Sequence, residues 1–192
     1  MYDIDFFEKA APLKDKILHN RIDPNDIDYL FDEFEKLRKS EPYVFNIETT
    51  NYCNMRCIMC PRTSLMTRKN VWVDDAAYEH VLDQITPHTP DALEHFWNYI
   101  ENQYNINQNT QSEDGFYFHV VARCLTLHGY GEPLLDKFIV SRVKKCAERN
   151  IPSYFSCVPA NINMARIEEL MEAGLSVIKF SIDALDDEQA KA

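Results

Sequence analysis

The chain has 192 residues, and its 20 Lys and Arg residues against 31 Asp and Glu residues give a formal net charge of -11. This length suffices for one domain with a sizeable core, and the acidic balance argues against nucleic acid or an anionic membrane as the main partner. The sequence has no apolar run long enough to span a bilayer, and its acidic start is unlike a signal peptide. Six cysteines in such a chain indicate thiols or metal ligands, so we expect a cytoplasmic protein.

Residues 1–41 are predicted to form an N-terminal helical extension. Asp23-Pro24 is a favourable start for a helix, because Asp can cap it and Pro suits its first position. Apolar residues then recur at helical spacing. They are Ile27, Leu30, Phe31, Phe34 and Leu37. We expect this amphipathic helix to pack against the outside of the main domain.

The main domain, residues 42–192, is predicted to alternate strands with helices. The predicted strands cover residues 43–49, 116–127, 153–158 and 176–182, and the predicted helices cover residues 74–85, 135–149 and 163–173. Residues 87–115 hold another helical patch and an Asn- and Gln-rich stretch, and we interpret them as an insertion. The alternation predicts an α/β fold with a parallel sheet and right-handed crossovers.

Three cysteines lie on one short loop after the first predicted strand. These are Cys53, Cys57 and Cys60, and residues 53–60 are called the cysteine loop below. A structural zinc site and an ordinary cysteine-ligated iron–sulfur cubane each take four protein ligands. Three thiolates would therefore leave one metal position open to a ligand that is not protein.

Two further stretches follow predicted strands, where parallel α/β folds collect their chemistry. Residues 129–133, Gly-Tyr-Gly-Glu-Pro, are called the glycine turn, and their two glycines would let the backbone approach a ligand closely. Ser181 and Asp183 lie two residues apart where the last predicted strand closes, so they share a face and can hydrogen-bond a sugar hydroxyl. The structural alternatives are an ordinary turn and a strand-end cap.

Cys-x3-Cys-x2-Cys after a first strand, followed by Gly-x-Gly-Glu-Pro, resembles the radical S-adenosylmethionine superfamily. Met59 stands where that family usually has an aromatic residue. The resemblance implies a partial (β/α)6 barrel in which Cys53, Cys57 and Cys60 hold a [4Fe-4S] cluster. The amino and carboxylate groups of S-adenosylmethionine would occupy the fourth iron.

The resemblance also implies which residues contact S-adenosylmethionine. Backbone of the glycine turn would bind the amino group of its methionine moiety, and polar side chains around the ends of the last two predicted strands would bind its ribose. The implied cofactor-binding residues are Gly129, Gly131, Glu132, Pro133, Ser156, Asn161, Ser181 and Asp183.

The implied activity is reductive cleavage of S-adenosylmethionine to a 5'-deoxyadenosyl radical that abstracts hydrogen from a substrate, which the sequence does not identify. A low-potential donor of flavodoxin or ferredoxin type would supply the electron. The basic residues Arg62, Arg68 and Lys69 are either a solvated loop or a docking point for that donor.

Family members with Cys-Asn-x-x-Cys-x-x-Cys-Pro often carry a C-terminal extension with auxiliary clusters and modify peptides or proteins. The sequence shows only about four of the barrel's six strand–helix units. We therefore expect the chain to be truncated at its C-terminal end.

The alternative from another class is a non-catalytic scaffold with zinc or iron on the same three cysteines plus one more ligand. Zinc motifs usually include a second Cys or His pair at fixed spacing, and the sequence lacks one. Cys124 and Cys146 are predicted to be core residues. Cys157, near the active face, is an alternative fourth ligand, and His128 is predicted to be partly buried.

Overall fold

The computed structural model describes residues 4–19, 21–39 and 43–182. The chain divides into two compact units, Met1–Tyr43 with His88–Ala122, and Val44–Pro87 with Arg123–Ala192. Each unit has a hydrophobic core of its own. Within the described ranges, no helix combines the length and the apolar character needed to cross a bilayer.

The elements follow one another along the described chain. The helices are α1 (Ile4–Leu18), α2 (Ile27–Leu37), α3 (Pro61–Leu65), α4 (Asp75–Leu82), α5 (Pro90–Tyr104), α6 (Glu113–Arg123), α7 (Ile139–Glu148) and α8 (Met164–Glu172). The strands are β1 (Leu125–Thr126), β2 (Ser153–Cys157) and β3 (Val177–Phe180). Short 3-10 turns occupy Pro24–Asp26, Pro133–Leu135 and Pro159–Asn161.

The predicted cap at Asp23 is present, but it caps a 3-10 turn and α2 itself begins at Ile27, with part of its apolar face exposed. The Asp23 carboxylate accepts a hydrogen bond from the backbone N–H of Asn25 at 2.9 Å, which caps the 3-10 turn that leads into α2. Leu30 is buried, whereas Ile27 is 58% exposed and Phe31 is 63% exposed. Helical periodicity located this helix correctly and overstated how much of its face is covered.

The first unit is built around α5. Thr89 caps α5 by accepting a hydrogen bond from the backbone N–H of Ala92 at 3.2 Å, and Asn105 ends it in the left-handed conformation with a φ of 55°. The buried core contains Ile4, Phe96, Trp97, Ile100 and Ala122. Helices from both ends of this unit's sequence thus share one core.

The prediction of one strand over residues 116–127 is wrong. Its first part is helix α6, and only Leu125–Thr126 is a strand. The Ser112 hydroxyl accepts a hydrogen bond from the backbone N–H of Gly115 at 2.9 Å as the helix begins, and Phe118 packs against the core that contains Ala122. Packing against α5 therefore overrides the strand preference of this aromatic and β-branched run.

The second unit contains a parallel sheet in the order β1-β2-β3, which confirms the predicted parallel pairing. Residues 43–49, predicted as the first strand, make a single parallel bridge between Asn46 and Thr126. Ile47 N–H donates to the Thr126 carbonyl and Thr126 N–H donates to the Phe45 carbonyl, both at 2.8 Å. Since β1 has only two residues, this segment has little strand to pair with. The described residues thus form three parallel strands and a bridged segment, without a closed barrel.

Helices α7 and α8 pack with this sheet as their apolar spacing predicts. The buried core of the unit includes Leu125, Leu127, Phe155, Ile139, Val143, Cys146 and Leu170. The predicted helix over residues 135–149 begins later, because a 3-10 turn at Pro133–Leu135 precedes α7. Gly174 ends α8 with a φ of 95°, a conformation that favours glycine. The burial predicted for Cys124 and Cys146 is confirmed.

Arg142 lies on the apolar face of α7 and is fully buried. Its Nη1 donates to the Thr49 carbonyl at 2.7 Å and to the Asp136 carboxylate, and its Nη2 donates to the Val73 carbonyl at 2.6 Å. A buried charge is costly unless it is paired and hydrogen-bonded. These contacts fix three chain segments around one guanidinium.

Replacing Arg142 with Met should lower the free energy of unfolding by about 3–5 kcal/mol, because the Asp136 carboxylate would stay buried without its cationic partner. Urea unfolding followed by circular dichroism measures this loss. Arg149→Met, at the residue that ends the same helix, is the control, since Arg149 pairs with Asp83, whose side chain is 62% exposed. It should cost much less. Equal losses in the two variants would contradict this role of Arg142.

Candidate functional site

Asn51 fixes both ends of the segment that carries the cysteine loop. Its buried side chain accepts a hydrogen bond from the Val71 N–H at 2.6 Å and donates to the Lys69 carbonyl at 2.9 Å. Arg62 Nε donates to the Asn51 carbonyl at 2.9 Å. Residue 50 also makes an antiparallel bridge with Trp72. The two ends of the segment between Asn51 and Val71 are therefore held together, and the three cysteines lie on the loop between them.

The three cysteines are partly buried free thiols. Cys60 N–H donates to the Cys57 carbonyl at 3.1 Å and α3 begins at Pro61, so these two cysteines share one turn. Residues between Cys53 and Cys57 form neither helix nor strand. Within residues 4–19, 21–39 and 43–182, no three His, Cys, Asp or Glu side chains are gathered closely enough to hold a metal ion. Because each thiolate of a cubane binds a different iron, this finding concerns a site for one metal ion only.

The glycine turn packs directly on residues 50–52, which precede Cys53 and are called the base of the cysteine loop below. A Cβ on Gly131 would lie 1.9 Å from the Thr50 carbonyl oxygen. Glu132 N–H donates to the Tyr52 carbonyl at 2.7 Å. Two motifs that are far apart in sequence thus meet through backbone atoms. Gly131 is required by this contact within the chain, whereas its contact with a ligand stays a prediction.

Glu132 is buried, and both of its carboxylate oxygens have backbone partners. Oε1 accepts from the Leu134 N–H at 3.2 Å, and Oε2 accepts from the Val158 N–H at 3.1 Å. Burial raises the pKa of this carboxyl, and the hydrogen bonds from Val158, Leu134 and the Asn161 side chain oppose that rise. Glu132 therefore joins the glycine turn to the chain that leaves β2. Pro133 begins the 3-10 turn that Glu132 caps.

Asn161, predicted to contact the ribose, lies against the cysteine loop. Its side-chain amide exchanges two hydrogen bonds with that of Asn54, at 2.8 and 3.0 Å. Asn54 directly follows Cys53, so this pair links the first cysteine of the motif to the chain that leaves β2.

Ser156 and Ser181 are brought together as a polar pair. Their hydroxyl oxygens lie 2.6 Å apart, on β2 and just after β3. Asp183, predicted to act with Ser181, lies outside the described residues. The polar pair at the strand ends fits the predicted contact with hydroxyl groups of a ligand, which the structure does not test.

His128 accepts a hydrogen bond from the Ser156 N–H through Nδ1 at 3.2 Å. Burial lowers the pKa of His128 from 6.5 to about 4, so the ring is neutral at pH 7 and carries its hydrogen on Nε2. Its ring packs edge-on against Tyr154, with the centroids 5.4 Å apart. The predicted partial burial of His128 is confirmed. Its ring accepts the Ser156 N–H of β2, which β1, with only two residues, does not reach.

Two of the basic residues beside the cysteine loop, Arg62 and Arg68, have side-chain partners in the chain. Arg68 Nη2 lies 2.5 Å from Glu48 Oε1, and Glu48 Oε2 accepts from the Tyr130 N–H at 2.8 Å. A Cβ on Gly129 would lie 2.4 Å from Glu48 Oε2, so Gly129 also packs closely here. These contacts favour a structural role for Arg68. Docking of an electron donor stays a prediction.

Cys157 is a poor candidate for a fourth metal ligand. Burial raises the pKa of its thiol to about 11, and the thiol is only 2% exposed. Metals bind the thiolate, which such an environment disfavours. Cys53, Cys57 and Cys60 remain the three candidate ligands.

Sequence reasoning missed four residues that build this site. The sequence could have identified Arg142, because it is a lone charge among apolar residues at helical spacing on α7. It could also have identified Asn51 and Asn54, since these short polar side chains flank the first cysteine. No sequence pattern distinguishes Glu48, because an acidic residue on a strand-like segment is ordinary.

Comparisons with known proteins gave little sequence similarity. No protein-family model matches the chain, and no curated protein matches it. The crystal structure of BtrN in complex with AdoMet and 2-DOIA is similar with a TM-score of 0.47 and 17% identity, over 72% of this chain and 45% of that one. The chain thus spans less than half of BtrN's length. With so low a score and identity, this similarity does not assign the chain to a family.

Replacing Gly131 with Ala should destabilise the chain by about 1–3 kcal/mol, because the new Cβ collides with the backbone carbonyl of Thr50. Gly129→Ala is the comparison, since the atoms nearest its new Cβ are Glu48 side-chain atoms at 2.4 and 2.9 Å and not a backbone oxygen at 1.9 Å, and it should cost less. Urea unfolding of both variants decides the order. A larger loss in Gly129→Ala would contradict the packing account.

His128 should make stability depend on pH between about 6.5 and 4. In this window the unfolded chain binds a proton that the folded chain excludes, so the free energy of unfolding falls as the pH falls. Relative to His128→Gln, which does not titrate, the wild type should lose roughly 3 kcal/mol between pH 7 and pH 4. Unfolding curves across this range measure the difference. Parallel pH profiles would disprove the lowered pKa.

Proposed function

We propose that the chain is a radical S-adenosylmethionine enzyme in which Cys53, Cys57 and Cys60 hold a [4Fe-4S] cluster and S-adenosylmethionine binds its open iron. One observation carries the proposal. The glycine turn lies on the base of the cysteine loop, with Glu132 N–H bonded to the Tyr52 carbonyl at 2.7 Å. In the resembled family these two motifs bind one cofactor. In this chain the fold brings the two motifs into contact, although they are far apart in sequence.

The donor set fits such a cluster by its chemistry. Three partly buried thiols lie on the cysteine loop. The remaining cysteines, Cys124, Cys146 and Cys157, are buried elsewhere in the unit. Each of the three thiolates would bind a different iron, so the cluster does not need all three sulfurs around one ion. When bound, the cluster would supply the electron that cleaves the carbon–sulfur bond of S-adenosylmethionine.

The chain's own residues would bind and orient that ligand. Ser156 and Ser181 offer two hydroxyls at the strand ends, which suit the hydroxyls of a sugar. Glu132 has both oxygens occupied by backbone N–H groups, so it would hold the turn in place. His128, neutral at pH 7, would hold Ser156 in place by accepting its backbone N–H. A low-potential flavodoxin or ferredoxin-type donor would be the redox partner, and a peptide or protein is one candidate substrate.

Anaerobic reconstitution with iron and sulfide tests the proposal. The wild type should become brown, with a broad absorption band that bleaches on reduction and an EPR signal that changes when S-adenosylmethionine is added. Cys53→Ala, Cys57→Ala and Cys60→Ala should each lose most of the iron, because three thiolates are the minimum set. Cys124→Ala, which removes a buried thiol, should keep it.

Two outcomes would count against the proposal. A colourless protein that keeps zinc would favour the non-catalytic scaffold on the same cysteines. Equal iron loss from Cys124→Ala and the loop variants would show that the loop is not the specific ligand set.

A further inference from the structure

A ring of hydrogen bonds closes around Cys53. The residue before it, Tyr52, gives its carbonyl to the backbone N–H of Glu132 at 2.7 Å. The residue after it, Asn54, exchanges two side-chain hydrogen bonds with Asn161. The Glu132 carboxylate accepts from the Val158 N–H at 3.1 Å, and the Asn161 N–H donates to the Val158 carbonyl at 3.1 Å. Glu132 and Asn161 therefore hold both neighbours of Cys53 from outside the cysteine loop.

The other two cysteines are held differently. Cys57 and Cys60 are joined by a backbone hydrogen bond of 3.1 Å, and Thr63 N–H donates to the Cys60 carbonyl at 3.1 Å in the first turn of α3. These contacts are local to the loop and its helix. Cys53 alone among the three depends on the chain that follows β2.

The two anchors of the ring differ in how exposed they are. Glu132 is 4% exposed and its second oxygen is fixed by the Val158 N–H. The amide pair between Asn54 and Asn161 is exposed to solvent. Water can replace a solvent-exposed hydrogen bond, so we expect the amide pair to be the weaker half of the ring.

We propose that Asn161 is a positioning residue for Cys53: through Asn54 it holds the first thiol of the motif at a fixed place relative to the end of β2. The link to a metal centre rests on the proposed function, whereas the effect on the thiol does not. This role differs from the ribose contact that the sequence predicts for Asn161. It also gives a physical reason for an Asn directly after the first cysteine, because Asn both donates and accepts through one short side chain.

The test measures how fast each thiol of the metal-free full chain reacts with iodoacetamide, with peptide mass spectrometry separating Cys53 from Cys60. In Asn161→Ala the ratio of the Cys53 rate to the Cys60 rate should rise at least about threefold, since two hydrogen bonds to Asn54 are lost. Asn54→Ala should raise it similarly. The double variant should add little to either single change, because both remove one shared contact.

Asn163→Ala is the matched control, since Asn163 lies two residues away and caps α8 by accepting from the Arg166 N–H at 3.4 Å. Loss of a cap lowers stability without touching Asn54. The control should leave the ratio unchanged. A rise below about threefold in Asn161→Ala, an equal rise at all three cysteines, or the same rise in Asn163→Ala would each overturn the proposal.

A second measurement separates this proposal from the proposed function. After anaerobic reconstitution, iron should leave Asn161→Ala faster than the wild type when a chelator is added, with Asn163→Ala as reference. If the wild type takes up no iron, the proposed function fails while the thiol ratio still decides the role of Asn161. Equal release rates beside a raised thiol ratio would restrict the role to the metal-free loop and overturn the link to the metal centre.

Discussion

The buried guanidinium of Arg142 is the constraint on which the site depends. It pairs with Asp136 and donates to the carbonyls of Thr49 and Val73, and it lies on the helix that supplies Ile139, Val143 and Cys146 to the unit's apolar core. Thr49 precedes the cysteine loop and Asp136 follows the glycine turn. Because a buried charge must keep its partners, both motifs are held at one place before any ligand arrives.

From that anchor, the site is assembled mostly by backbone contacts. Gly131 lies against the Thr50 carbonyl, and Glu132 joins Tyr52 to Val158. Such contacts need small residues and buried acceptors at set positions, which gives Gly-x-Gly-Glu-Pro a structural meaning apart from ligand binding. The thiols, in contrast, are partly exposed, on a loop with neither helix nor strand between Cys53 and Cys57.

Sequence periodicity predicted much of this fold and failed where long-range packing decides. The parallel pairing of the strands, the cap at Asp23 and the stop at Gly174 follow from local chemistry, and all three are present. Residues 116–123 form a helix because Phe118 and Ala122 pack in one core with α5. Local sequence rules do not contain this long-range contact. Asn161 was predicted at the site, but its partner Asn54 depends on how β2 ends.

The central claim is that the cysteine loop and the glycine turn together hold one S-adenosylmethionine on one cluster. It is tested most directly by electron–nuclear double resonance on the reduced, reconstituted chain, with S-adenosylmethionine labelled with nitrogen-15 at its amino group. We expect a hyperfine coupling between that nitrogen and the cluster spin, because the amino group would be an iron ligand. A reduced cluster with bound S-adenosylmethionine and no such coupling would contradict it.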